Sequence, residues 1–145
     1  MKKNMKILVA TDGSDHSLRA IQYAARLGDS MKTPPELTLI NVHDQTGLRH
    51  ARKFAGSQAV DEYLRELADE DLRDGKAFLT SAGLPYVVEA RTGHVSREII
   101  EFANIGHFDM VILGAKGRSA MTDFLVGSVA QRVVAGSSVP VLLVK

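Results

Sequence analysis

Short apolar runs recur along the chain with a helical stretch between successive runs, and no other feature of the sequence constrains its fold as much. Ile7-Leu8-Val9-Ala10 is a continuous run of the kind found in a strand covered on both faces of a parallel sheet. It stops at Thr11-Asp12-Gly13-Ser14-Asp15, a turn cluster rich in helix-starting residues. Leu18, Ile21, Ala24, Ala25 and Gly28 then recur at helical spacing, which predicts a first helix to about Met31. Pro34-Pro35 interrupts the chain, and Leu37–Val42 makes a second strand. The segment from Asp44 to Gly56 carries Arg49, His50, Arg52 and Lys53 without strong periodicity and reads as a long loop. Val60, Leu64, Ala68, Leu72 and Leu79 mark a long amphipathic helix. Gly75 is expected to weaken or bend it, and Gly83 is placed to be its left-handed cap.

A third strand is expected from Pro85 to Ala90, then a third helix with Ile99, Ile100 and Ala103 inward. A fourth strand (Asp109–Leu113), a last helix (Ser128–Ala135) and a closing strand (Val139–Val144) complete the chain. The order βαβαβαβαβ predicts an α/β fold: one five-stranded parallel sheet with four helices on both faces, joined by right-handed crossovers. At 145 residues the chain is expected to form one domain, residues 1–145. Ligands of such sheets sit at the carboxyl ends of strands where the strand order reverses. The order 3-2-1-4-5 would put Asp12 beside Gly114, whereas 2-1-3-4-5 would set Asp12 against Arg91-Thr92-Gly93. The first is chemically favoured, because it places a carboxylate beside a loop suited to phosphate.

That loop reads Gly114-Ala115-Lys116-Gly117, then nine residues, then Gly127-Ser128. It lies between an apolar run, Met110–Leu113, and a helix. Free N–H groups and the dipole at a helix start favour an anion, and glycines allow close backbone approach and positive φ. Ser128 is read as the helix N-cap. The loop is neither a GxxxxGK[ST] phosphate loop nor a GxGxxG dinucleotide turn. Asp12 can take ribose hydroxyls or help position a phosphate-bound magnesium ion. Lys116 and Arg118 can balance phosphate charge.

Other chemistries are disfavoured. A formal net charge of +1 provides no field for general nucleic-acid or membrane-surface binding. The absence of cysteine excludes disulfides, thiolate metal sites and cysteine nucleophiles. His43, His50, His94 and His107 show no metal-ligand spacing. Asp12, Ser14 and His16 have triad residue types, but there is no GxSxG elbow. A phosphorylation-receiver reading lacks its acceptor aspartate after the third strand. The four-residue apolar run after Lys2, Lys3 and Lys6 is too short for a signal peptide or membrane span, so a cytoplasmic location is expected.

The spacing Gly114-x2-Gly117-x9-Gly127-Ser128 resembles the nucleotide-binding signature of the universal stress protein family, in its ATP-binding class. The opening Ile7–Ser14, the Gly93 turn and the ending Val139-Pro140-Val141-Leu142-Leu143-Val144 agree with it. The resemblance implies an adenine nucleotide alpha hydrolase-like, Rossmann-type sheet of order 3-2-1-4-5, a homodimer, and ATP held with magnesium. It implies that Asp12 serves the ribose or, through the nucleotide, the metal, and that Val42 lies near adenine. Gly114 and Gly117 would line ribose and phosphates, and Gly127 with Ser128 would hold the phosphates. Thr11, Ala115, Lys116, Arg118 and Val129 complete the expected binding set. Nothing carries over to Asp44–Gly56, which varies widely in the family, and His94 has no assigned role.

Independently, a closing strand hydrophobic on both faces at a sheet edge invites pairing, and symmetric pairing of two copies through Val139–Val144 resolves it. The expected function is a dimeric, ATP-binding regulatory or stress-response protein. A slow ATP hydrolase or autophosphorylating switch, and a nucleotide-free dimeric interaction module, are the alternatives.

Overall fold

The computed structural model describes residues 4–117 and 125–145. In chain order the elements are β1 (Lys6–Ala10), α1 (Asp15–Asp29), β2 (Glu36–His43), a 3-10 turn (Thr46–Leu48), α2 (Arg49–Ala55) and α3 (Ser57–Ser81). There follow β3 (Tyr86–Thr92), α4 (Val95–Ile105), β4 (Met110–Gly114), α5 (Ser128–Gly136) and β5 (Val141–Val144). The five strands form one sheet of order β3-β2-β1-β4-β5, every neighbouring pair parallel. This is the expected architecture and strand order.

Strand alternation divides the core in two. Ile7, Val9, Leu37, Leu39 and Ile112 face α1 and α3, where Ala20, Ile21, Ala24, Ala68, Leu72 and Leu79 cover them. Leu8, Ala10, Ile40, Val42, Val111 and Leu113 face α4 and α5, meeting Ile99, Ala103, Ala130 and Val133. Each fully buried branched side chain contributes about 1.5–3 kcal/mol by leaving water. The central strands are therefore apolar throughout, because both their faces are covered.

The chain forms five α-helices among the described residues, not four. The additional one is α2, inside the segment expected to be a loop. None of its residues is buried, so it carries no apolar stripe that periodicity could detect. Ala, Arg and Lys are strong helix formers, and Gly56 (φ 86°) ends the helix. Gly75 does not break α3, which runs continuously from Ser57 to Ser81. It is buried there, and a Cβ would stand 2.5 Å from Ile21 Cδ1, so the glycine lets α3 approach α1. Gly83 caps α3 as expected: its φ is 69° and Leu84 N–H donates to Leu79 C=O across the end. β5 starts later than expected, at Val141, because Pro140 has no N–H to give a ladder. No helix among the described residues is long and apolar enough to cross a membrane.

The connection through α1 leaves β1 on one face of the sheet, and the connection through α5 leaves β4 on the other. The chain ends of β1 and β4 thus diverge, which opens a crevice between them.

Candidate functional site

A cavity of about 200 Å³ fills that crevice. Its floor is the carboxyl end of β1 and β4, with Ala10, Thr11, Leu113 and Gly114. One wall is apolar and comes from β2 and α4: Ile40, Val42, Val95 and Ile99. The opposite wall is the glycine loop and the first turn of α5, with Lys116, Gly117, Gly127, Ser128 and Val129. Asp12 borders both.

The turn after β1 is tightly specified. Gly13 (φ 81°) reverses the chain, and Ser14 N–H donates to Asp12 Oδ1 at 2.9 Å. Ser14 then caps α1, its hydroxyl accepting from Ser17 N–H at 3.3 Å. Thr11 is held from three sides. Its N–H donates to Ile40 C=O, its carbonyl accepts from Asn41 Nδ2, and its hydroxyl meets Ser17 Oγ at 3.0 Å.

The three glycines of the signature serve closeness rather than left-handed backbone. Positive φ occurs at Gly13, Gly56, Gly83 and Gly93, and not at Gly114, Gly117 or Gly127. A Cβ on Gly114 would stand 2.9 Å from the His16 backbone, and one on Gly117 would stand 2.8 Å from Asp12 Oδ2. A Cβ on Gly127 would stand 3.3 Å from Lys116 Cα. Ser128 is not the N-cap that its sequence position suggests. It is the first helical residue of α5, and Gly127 occupies the cap position without a side-chain hydrogen bond. The cap is filled by a residue with no side chain because the loop backbone, tied by Gly127 N–H to Ala115 C=O at 2.7 Å, passes too close for one. The N–H groups of the first turn of α5 therefore lack a capping side chain at Gly127, and Ser128 lines the cavity.

Nine of the expected site residues border this cavity: Thr11, Asp12, Val42, Gly114, Lys116, Gly117, Gly127, Ser128 and Val129. Ala115 stands behind it, buried, with its N–H on Val144 C=O and its carbonyl on Gly127. Arg118 lies outside the described residues. Sequence reasoning did not single out Val95 or Ile99 as cavity residues; their four-residue spacing on the inner stripe of α4 was the signal available.

A buried polar network behind the cavity was also missed. Asp71 on α3 is 5% exposed, and its Oδ2 accepts from Asn41 Nδ2 at 3.1 Å. The same oxygen lies 2.9 Å from His43 Nε2. Asn41 links this carboxylate to the Thr11 carbonyl, so α3 braces the end of β1 through β2. An acid on the inner stripe of α3, between Ala68 and Leu72, was its trace in the sequence.

Among the described residues no group of three or more His, Asp or Glu side chains is arranged to hold a metal ion. Asp12 is the one acid bordering the described cavity, so a cation there would draw its other ligands from a bound molecule or water.

The architecture and its crevice define a doubly wound α/β protein with a cavity at the switch point of its sheet, where ligands of such folds sit. The model of the universal stress protein family matches residues 3–145, and the chain belongs to that family. It is 31% identical over 140 residues to a universal stress protein of Methanocaldococcus jannaschii, covering 97% of this chain and 81% of that one. The solved structure of the hypothetical protein MJ0577 superposes with a TM-score of 0.83 at 26% identity, covering 97% of this chain and 95% of that one. A universal stress protein crystallised in complex with cAMP is 27% identical, with a TM-score of 0.59 and coverage of 99% and 98%.

Proposed function

We propose that the crevice binds an adenine nucleotide, ATP with its magnesium ion, and that occupancy of this site is what the protein reports to its partners. The observation that carries the reading is the pairing of two unlike walls. The apolar wall of Val42, Val95 and Ile99 suits a base, and the uncapped α5 N-terminus beside Gly114 and Gly117 suits phosphates. The related universal stress protein bound to cAMP supports a ligand of this class. In this reading Val42 contacts adenine, and Asp12 takes the ribose or the nucleotide-bound magnesium. Gly114 and Gly117 line ribose and phosphates, while Gly127, Ser128 and Val129 present backbone donors and a hydroxyl to the phosphates. Lys116 and Arg118 balance charge, Thr11 shapes the floor, and Ala115 supports Gly127 from behind.

Magnesium, when bound, would neutralise phosphate charge. The chain's own task is to orient the nucleotide and hold it against the loop. Asp12 and Lys116 are the titratable side chains bordering the described cavity, and Asp12 already accepts from Ser14. This composition favours binding and signalling over rapid turnover; slow hydrolysis remains the alternative activity. The proposed domain is the whole chain, residues 1–145, acting in the cytoplasm. It pairs with a second copy through β5, all four residues of which are half-exposed at the sheet edge.

Extraction of the purified protein, followed by calorimetric titration of ATP with magnesium, tests the reading. We expect bound adenine nucleotide or a saturable heat. No nucleotide and no heat up to millimolar ATP would falsify it. Phosphate release above background that falls in Asp12→Ala would favour the hydrolase. Sedimentation at micromolar concentration is expected to show a dimer, and a monomer there would remove the β5 pairing.

A further inference from the structure

The basic segment after β2 and His94 have no part in the nucleotide reading, and the structure brings them together. A second cavity, about 350 Å³, is bordered by Asp44, Thr46, Arg49, Arg52, Gly93 and His94. It lies just past the carboxyl end of β2, whose Val42 borders the first cavity. Successive β-strand side chains alternate between faces: Asn41 and His43 turn to Asp71 on α3, while Val42 borders the first cavity. Asp44, two residues on, borders the second. Across from β2, His94 borders the second cavity and Val95 the first, so both cavities share the start of α4.

The second cavity differs in charge. Arg52 places one guanidinium nitrogen 3.0 Å from Asp61 and keeps further N–H donors, of which a guanidinium has five. The Arg49 side chain makes no ion pair or hydrogen bond among the described residues. The one acid in the wall, Asp44, is already engaged by Thr46, whose N–H donates to Oδ1 at 2.8 Å and whose hydroxyl donates to the same atom. His94 turns its Nδ1 to Ser96 Oγ and caps no N–H of α4. Two guanidinium groups and an imidazole around one opening match the charge and the several acceptor oxygens of a phosphate better than the single charge of a carboxylate.

We propose that this second cavity is an anion subsite for the phosphate group of a co-ligand, held by Arg49 and Arg52 with His94 at its edge. The subsite stands independently of what fills the first cavity, and the shared first turn of α4 is where occupancy of one is felt by the other. The test is a titration of inorganic phosphate into the isotope-labelled full chain, following the Nε–H signals of Arg49 and Arg52 and the amides of His94 and Val95. Saturable, concerted shifts are expected at these groups. Binding should weaken by at least about tenfold in Arg49→Ala, the loss of one charge-assisted contact. Arg49 is exposed, so this variant keeps the fold. Shifts confined to Gly127–Ala130, shifts that never saturate, or an unchanged response in Arg49→Ala would each overturn the subsite. ATP is titrated separately into the same samples. A phosphate response at Arg49 without ATP binding would defeat the reading of the first cavity and leave this one standing; ATP binding without that response would do the reverse.

Discussion

The two cavities lie side by side at one end of the sheet and are built on opposite plans. The first is shaped largely by backbone, where Gly114 and Gly127 let neighbouring segments come so near that a Cβ on either would crowd main-chain atoms, and Gly117 makes room for the Asp12 carboxylate. The second is shaped by long charged side chains on a segment that buries none of its residues. A wall of backbone cannot step aside for a misfitting group, whereas arginine side chains can re-aim. Strict selection is therefore expected of the first cavity and tolerance of the second.

The largest effect that would break this contrast is at Gly127. Gly127→Val brings branched carbon against Lys116 Cα and the Ala115 carbonyl, 3.3 and 3.5 Å from where even a Cβ would sit. ATP affinity measured by calorimetry should fall by about 100-fold or more, roughly 2.7 kcal/mol, with unfolding still cooperative. Retained affinity would mean that the ligand sits elsewhere.

Next in size is the brace behind the first cavity, on the other face of the sheet. Asp71→Ala removes one of the two acceptors of Asn41 Nδ2 and the carboxylate beside the His43 ring, at a cost of about 1–3 kcal/mol in urea unfolding. An unshifted midpoint would show that Thr11 and β2 hold their places without α3. At the second cavity, Arg49→Ala should change stability by less than about 0.5 kcal/mol, because an exposed side chain is removed. A larger loss in the same unfolding assay would make α2 part of the structural frame.

The smallest effect is on pH. The Thr46 hydroxyl and N–H hold the Asp44 carboxyl below its ordinary value of 3.8, with the nearby His94 charge adding to this. A carboxylate whose folded value is depressed stabilises its turn above 3.8, and that contribution is lost as pH falls through the lower folded value. The Thr46 amide resonance should therefore follow the Asp44 titration with a midpoint below 3.8. A midpoint at or above 3.8 would mean that the carboxylate is not holding the turn.

The same contrast explains what could be read from the chain. The sheet was legible because β1 and β4 are covered on both faces and so are apolar without interruption, as at Leu8, Val9, Val111 and Ile112. The order of strands followed from the chemistry of Asp12 and Gly114, which needed to be neighbours. The first cavity was legible because close backbone approach demands glycine, and glycine spacing survives in a linear string. Its finer geometry was not: Ser128 looks like a cap in sequence, and only the nearness of Lys116 explains why Gly127 takes that place. α2 was invisible because a helix that buries nothing has no periodicity. The link from Asp71 to Asn41 joins residues thirty apart, and no local rule connects them.

Gly56 stands at the joint where α2 ends and α3 begins, with a backbone conformation that L side chains rarely adopt. The helix before it contributes no buried side chain. A lineage can rewrite Arg49–Ala55 without removing any buried residue, while a Cβ at Gly114 would press on the His16 backbone at 2.9 Å. Substitution is thereby weighted unevenly within one small molecule: one recess is held by close contact between segments, and its neighbour can change its side chains without disturbing the core.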